Sequence, residues 1–430
     1  MSAARVLLVA HHCNPEWGSE PLIGWRWASH LDQAINIELI THVRNQPAIE
    51  RAGVLRCKVH FVDTETLAAR IDRWNTRIWR RSSPVNRLAL EALAQLAFDR
   101  AACRIARRCI ASGTVDVIHR VSPISPKFPT RLGTLGVPML LGPINGGMTT
   151  MPGFGEIRRR EGEAFLCVRP LARLLDPFRR TFASASKILV ATEGTRRALP
   201  RVHRSRAITM SENAVELAAF TPSFARCGPQ LRALYLGRLL PCKGVETALR
   251  ALAQVGDTAD VTLDIVGDGP DRARLEALTQ TLQLEGRVVF HGAVHVTEVP
   301  ARMQACDVYV FPSVRESGGS TVMEAMAAGK PVIVANHGGP AETVTGGTGF
   351  ALDANGPDAL VSALARTLHS LADDEELRSS MGRSARRHVE DRYTWNKKVA
   401  SVLRYYDEVS SGSVSPGADS SRNGMIITHQ

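Results

Sequence analysis

The 430-residue sequence predicts an α/β protein of two doubly wound, Rossmann-like domains. Three observations carry that prediction. The length accommodates two domains of about 150–200 residues each, and 44% hydrophobic residues suffice for two cores. Short apolar, β-rich runs alternate with longer segments of helical periodicity through both halves, as parallel strands joined by helices require. Several of those runs end in glycine turns that open a helix, the place where open α/β sheets bind ligands.

Composition narrows the class of function. A formal charge of +11 implies an anionic partner: a nucleotide diphosphate, an acidic membrane face or nucleic acid. Aromatic residues make up 5% of the chain, and no arginine/aromatic interleaving resembles a single-strand stacking platform, which makes nucleic acid the weaker option. The eight cysteines (13, 57, 103, 109, 167, 227, 242, 306) are scattered, without a CxxC, and no histidine pair stands at zinc spacing. No metal and no cofactor are therefore expected. Free thiols fit a reducing cytosol. The apolar run after Arg5 is too short for a signal peptide, and no run of 18 apolar residues occurs. The expectation is a cytoplasmic protein.

Taken in order, Val6–Ala10 reads as the first parallel strand. The loop HHCNPEWGSE follows, and Pro21 opens a helix at its first position. Gly18 in that loop is either a tight turn or a ligand-facing glycine. Ile37–Thr41 and Val59–Val62 are further strands. ARIDRWNTRIWRR, residues 69–81, places Ile71, Trp74 and Ile78 on one helical face and five arginines elsewhere. It suits an anionic membrane surface or a helix packed on its own domain with a solvated basic face, and both readings stand. A long helix covers Asn86–Ile110. Val115–His119 is a strand with His119 at its carboxyl end. PMLLGPINGG is another strand and glycine turn, and MTTMPGF after it reads as an apolar loop facing an acceptor. Ile188–Ala191 and Ile208–Met210 close a first domain at residue 210.

Residues 211–230 form a linker, and the second domain opens at Leu231. Strand Ala233–Leu236 delivers Gly237-Arg238, and Lys243-Gly244 precedes a helix. Arg238 can grip a diphosphate bidentately and Lys243 as a point charge; the alternative is two solvated loop cations. Val261–Val266 and Val288–His291 are strands, the second running to Val294. Ala335–Glu342 carries a glycine turn placed to line a cleft floor. Two helical segments complete the domain to residue 392, residues 393–410 form a last helix, and the Ser/Gly-rich 411–430 is expected to be disordered.

The most informative stretch is Arg315–Pro331, RESGGSTVMEAMAAGKP. It follows the buried strand Val308–Phe311. A glycine loop leads to a helix from about Thr321 to Ala328, with Gly329 as its stop and Pro331 beyond. The N–H groups of Gly318, Gly319 and Ser320 therefore gather at a helix N-terminus, where backbone donors favour an anionic or hydroxyl-rich ligand. Glu316 and Glu324 frame the loop. Two carboxylates at this separation suit a ligand with two diol-bearing rings; the plainer alternative is a solvated Glu316 and a capping box of Thr321 with Glu324.

This stretch resembles the E-x7-E signature of the family 4 glycosyltransferases. The resemblance implies retaining hexosyltransferases of the GT-B fold: two Rossmann-like domains facing across a cleft, with the last helix crossing back to the first domain. It implies a nucleotide-diphospho-sugar donor, with Glu316 on the sugar, Glu324 on the ribose, and the backbone of Ser317, Gly318, Gly319 and Ser320 near sugar and diphosphate. Arg238 and Lys243 match the family's diphosphate pair. Gly18 (in GSEP), Val294 and the strand-end His119 match its remaining donor contacts. SENAVE at 211–216 is similar to the family's N-G-V-D segment, with Ala214 and Glu216 as departures. The catalytic set implied is Glu316, His119, Arg238 and Lys243. The acceptor would be a glycan or a lipid-linked molecule, in exopolysaccharide or envelope glycan assembly, in the cytoplasm or at the inner face of the plasma membrane. A non-catalytic nucleotide-sugar binder and an epimerase of the same architecture remain as alternatives.

Overall fold

The computed structural model describes residues 4–65, 84–146, 148–160, 176–224, 228 and 230–412. The basic segment 69–81 and nearly all of the tail 411–430 lie outside the described residues.

Two parallel sheets organise the chain. The first comprises β1 (Val6–Ala10), β2 (Ile37–His42), β3 (Lys58–Val62), β4 (Val117–Ser122), β5 (Met139–Ile144), β6 (Lys187–Val190) and β7 (Ala207–Thr209), in the order β3-β2-β1-β4-β5-β6-β7. The second comprises β8 (Leu231–Leu236), β9 (Val261–Val266), β10 (Val288–Gly292), β11 (Val308–Phe311), β12 (Val332–Ala335) and β13 (Gly349–Leu352), in the order β10-β9-β8-β11-β12-β13. In both, the order reverses beside the first strand, which opens a crevice at the carboxyl ends of β1/β4 and β8/β11.

Helices cover both faces of each sheet, so the central strands β1, β8, β11 and β12 are mostly apolar rather than alternating. In β1, Val6, Leu8 and Ala10 face one cluster with Trp27 and Leu31, while Leu7 and Val9 face another with Phe98, Ala102 and Ala106. The helix Trp395–Ser410 completes the first of these. Its Trp395, Val399, Val402 and Tyr406 are buried against Trp27 and β1, although the preceding helix Glu375–Arg392 belongs to the second lobe. The chain thus crosses back to its first domain. Each large apolar side chain so buried contributes about 1.5–3 kcal/mol.

A second crossing was not foreseen. The apolar loop after β5, expected to face an acceptor, instead docks on the second lobe. Met151 N–H donates to the Val314 carbonyl at 2.9 Å, and Met151 and Phe154 enter the second lobe's core. Burial of two large apolar groups outweighs exposing them on a loop.

Candidate active site

The glycine loop after β11 is built by close backbone contact. Gly319, at φ +56°, caps the helix Ser320–Ala327, and a Cβ there would lie 2.8 Å from Pro340 Cγ. A Cβ on Gly339 would stand 1.4 Å from the Ser317 carbonyl oxygen. Glycine at these two positions lets the turn at 338–340 stack directly under the loop. The capping-box alternative does not hold: the cap is Gly319, and Thr321 lies inside the helix, accepting from Tyr309 Oη at 2.7 Å.

Glu316 and Lys243 meet as an ion pair, each side chain mostly buried. Lys243 ends a tight turn, Pro241–Lys243, and left-handed Gly244 then starts the helix Val245–Val255. Its ammonium also lies 5.8 Å over the Phe311 ring. Glu316 Oε1 accepts the Ser317 N–H at 3.0 Å, which aims the carboxylate along the loop. Arg238 is exposed after β8 and forms no ion pair among the described residues. Glu324 is half-buried on the loop helix; burial raises its pKa, and the charge of Arg26 in the first lobe opposes that rise. Gly18 is exposed, with open space where a Cβ would lie, and Val294 is half-buried against the second core.

His119 requires correction. It is the third residue of β4, not its end, and is 0% exposed. Its Nδ1 bonds Tyr406 Oη at 2.6 Å and its Nε2 the Gly142 carbonyl at 2.7 Å. Both nitrogens are occupied in the core, so it cannot contact a donor in the cleft. Burial pushes its pKa down to about 4.

Sequence reasoning missed two groups. His11 and His12 follow β1, with His11 packed between His12, His42 and Phe98. Burial, with His12, His42 and two arginines, lowers the His11 pKa, so the imidazole is neutral. Its place at a strand's carboxyl end was the available signal. The second is Glu212, in the linker and 2% exposed. Its Oε1 accepts from Ser317 Oγ at 2.9 Å and from Asn145 Nδ2 at 3.1 Å, joining first lobe, linker and glycine loop. Nothing in the local sequence pattern singles out a buried glutamate there.

One set of metal-ligating side chains gathers among the described residues. Glu38, His60 and Cys109 meet toward the amino ends of β2 and β3, opposite the crevice. His60 Nε2 lies 2.6 Å and Cys109 Sγ 3.5 Å from Glu38 Oε2, so the three satisfy one another by hydrogen bonds.

Residues 224–388 match the family described as "Glycosyl transferases group 1". A 2-deoxystreptamine glucosyltransferase of Streptomyces kanamyceticus is 36% identical over 41% of this chain and 45% of its own length. The chain spans about half the length of the first curated relatives it matches. Among solved structures, a glycosyltransferase of Rickettsia africae superposes with a TM-score of 0.64 at 14% identity, over 96% of this chain and 100% of that one. The Anabaena protein HepE, solved in complex with UDP, gives 0.63 at 18% identity, over 95% and 100%. The fold is the GT-B fold of two facing Rossmann-like domains.

Proposed function

We propose that the chain is a glycosyltransferase that moves a hexose, with retention of configuration, from a nucleotide-diphospho-sugar to a glycan or lipid-linked acceptor. The observation that carries the reading is the Lys243–Glu316 pair held over the glycine loop. Without a ligand, each charge satisfies the other. An arriving diphosphate offers Lys243 a stronger anion, with exposed Arg238 as second cation, and frees Glu316 to accept from sugar hydroxyls. The N–H groups of Gly318, Gly319 and Ser320 lie at the helix start beside this pair, and Glu324 lies one turn on for the ribose. Charge growing on the departing diphosphate is then met by preorganised cations and backbone donors. In this reading no covalent protein nucleophile takes part. The departing phosphate oxygen takes the acceptor proton on the same face. His11 and His12, on the first lobe, are the acceptor-side residues of this reading.

The net charge of +11 favours an acceptor at an anionic surface, and a cytoplasmic donor places the reaction at the inner face of the membrane. No helix among the described residues is long and apolar enough to cross a membrane. A thermal-shift screen with UDP, GDP and ADP sugars tests the reading, because a ligand of the folded state raises Tm by mass action. One nucleotide class is expected to raise Tm in wild type and not in Lys243→Ala; no shift with any of them would overturn it.

A further inference from the structure

The pair formed by Asn145 and Glu212 is incomplete as a carboxylate and an amide. One arm is closed, Asn145 Nδ2 donating to Glu212 Oε1 at 3.1 Å. The other atoms of the same two groups, Asn145 Oδ1 and Glu212 Oε2, are both buried and have no hydrogen-bond partner among the described residues. Each is an acceptor, and buried acceptors are rarely left empty. Turning the Asn145 amide over does not help, since it only exchanges which arm lacks a donor. Lys398, on the helix that crosses back, faces Glu212 with its charge but donates to the Ser211 carbonyl, and Oε2 receives no hydrogen bond from it. The other charge facing Glu212 is Glu316, of like sign. A proton on Glu212 Oε2, shared with Asn145 Oδ1, would satisfy both orphan atoms.

We propose that Glu212 is a neutral carboxylic acid whose Oε2–H donates to Asn145 Oδ1, closing a two-armed acid–amide bracket that positions the glycine loop through Ser317. The bracket runs from the carboxyl end of β5, through the linker, to Ser317 Oγ, which donates to Glu212 Oε1 at 2.9 Å. The loop is also crowded from this side: a Cβ on Gly318 would lie 2.7 Å from Glu212 Oε1 and 2.6 Å from Asn213 Nδ2. Glu212 is therefore a positioning residue, acting through Ser317 rather than on substrate. Separately, burial raises its pKa and Glu316 adds to the rise, while the residue's own backbone N–H, then Ser317 and Lys398, oppose it. The positioning role rests on the glycine loop being the donor loop; the protonation does not.

Two measurements on the full chain test it. Glutamine has the shape and the donor–acceptor pattern of the neutral acid, so Glu212→Gln is expected to restore what Glu212→Ala loses. The probe is whichever of UDP, GDP and ADP raises the wild-type Tm most. Its Kd is expected to rise at least about tenfold in Glu212→Ala and to stay within about threefold of wild type in Glu212→Gln. Infrared difference spectra at neutral pH are expected to show a protonated-carboxyl C=O stretch in wild type that Glu212→Gln lacks; other carboxyls raised by burial cancel in the difference. A glutamine variant as impaired as the alanine variant, or the absence of that stretch, would overturn the proposal. If no diphosphate binds, the donor-loop reading and the positioning role fail together, and the infrared result still decides the proton.

Discussion

Lys243 and Glu316, 73 residues apart in the chain, close an ion pair in which both side chains are mostly buried. On the proposed reading the two act on one bound molecule, so removing either is expected to lower kcat/KM about a hundredfold or more. The double variant Lys243→Ala/Glu316→Ala should lose little beyond the worse single change, as groups acting as a unit do. Steady-state kinetics of all three, with circular dichroism to verify folding, check this. Full additivity would mean that the two do not serve one ligand.

Two glycines predict opposite outcomes. Gly319 sits at φ +56° with Pro340 Cγ 2.8 Å from a would-be Cβ, so Gly319→Ala is expected to cost about 1–3 kcal/mol from crowding and strain. Donor affinity should fall with it. Gly18 has open space around it, so Gly18→Ala should stay within about 0.5 kcal/mol of wild type. Any loss of turnover in that variant reports ligand contact rather than folding. Urea unfolding beside kinetics separates the two.

His119 carries a pH prediction. Its folded pKa of about 4 lies below the ordinary histidine value of 6.5, so between these values the unfolded chain binds a proton that the folded chain refuses. Stability from this group is full above pH 6.5 and is lost as pH falls toward 4, by about 3 kcal/mol over the window. His119→Gln should flatten that part of the stability curve, and Tyr406→Phe should cost about 1–3 kcal/mol by leaving Nδ1 without its partner. Denaturant melts from pH 7 to pH 4 measure both.

How much of this was legible in the sequence follows from where each constraint lies. The run Val308–Phe311, its glycine loop and Gly329 as helix stop are local patterns, and each appears in the fold within a residue or so of its expected place. The ion pair was legible only as two charged motifs, because the sheet order that sets β8 beside β11 is not written in either. His119 was misread because a strand's end and its third residue differ only by where β4 stops pairing with β1. Met151 and Phe154 read as an apolar loop facing an acceptor because their partners lie in the other lobe. Glu212 left no signal because its burial is made by three segments far apart in sequence.

The lobes are also joined at Glu342, whose carboxylate accepts the Glu193 N–H at 3.0 and 3.1 Å, capping a first-lobe helix from the second lobe. Glu342→Ala is expected to lose a cap worth about 0.5–2 kcal/mol and to shift the unliganded chain toward a more open arrangement. Small-angle scattering should give a larger radius of gyration for the variant than for wild type without ligand. An unchanged radius would mean that the cap does not govern lobe closure.

The most direct test of the central claim is nucleoside-diphosphate release from a panel of UDP, GDP and ADP sugars, followed in wild type and in Lys243→Ala with and without lipid-linked glycan acceptors. The account predicts release from one nucleotide-sugar class by wild type, faster with acceptor, and a loss of about a hundredfold or more in the variant. Equal release by the two proteins, or none from any sugar nucleotide, would contradict it.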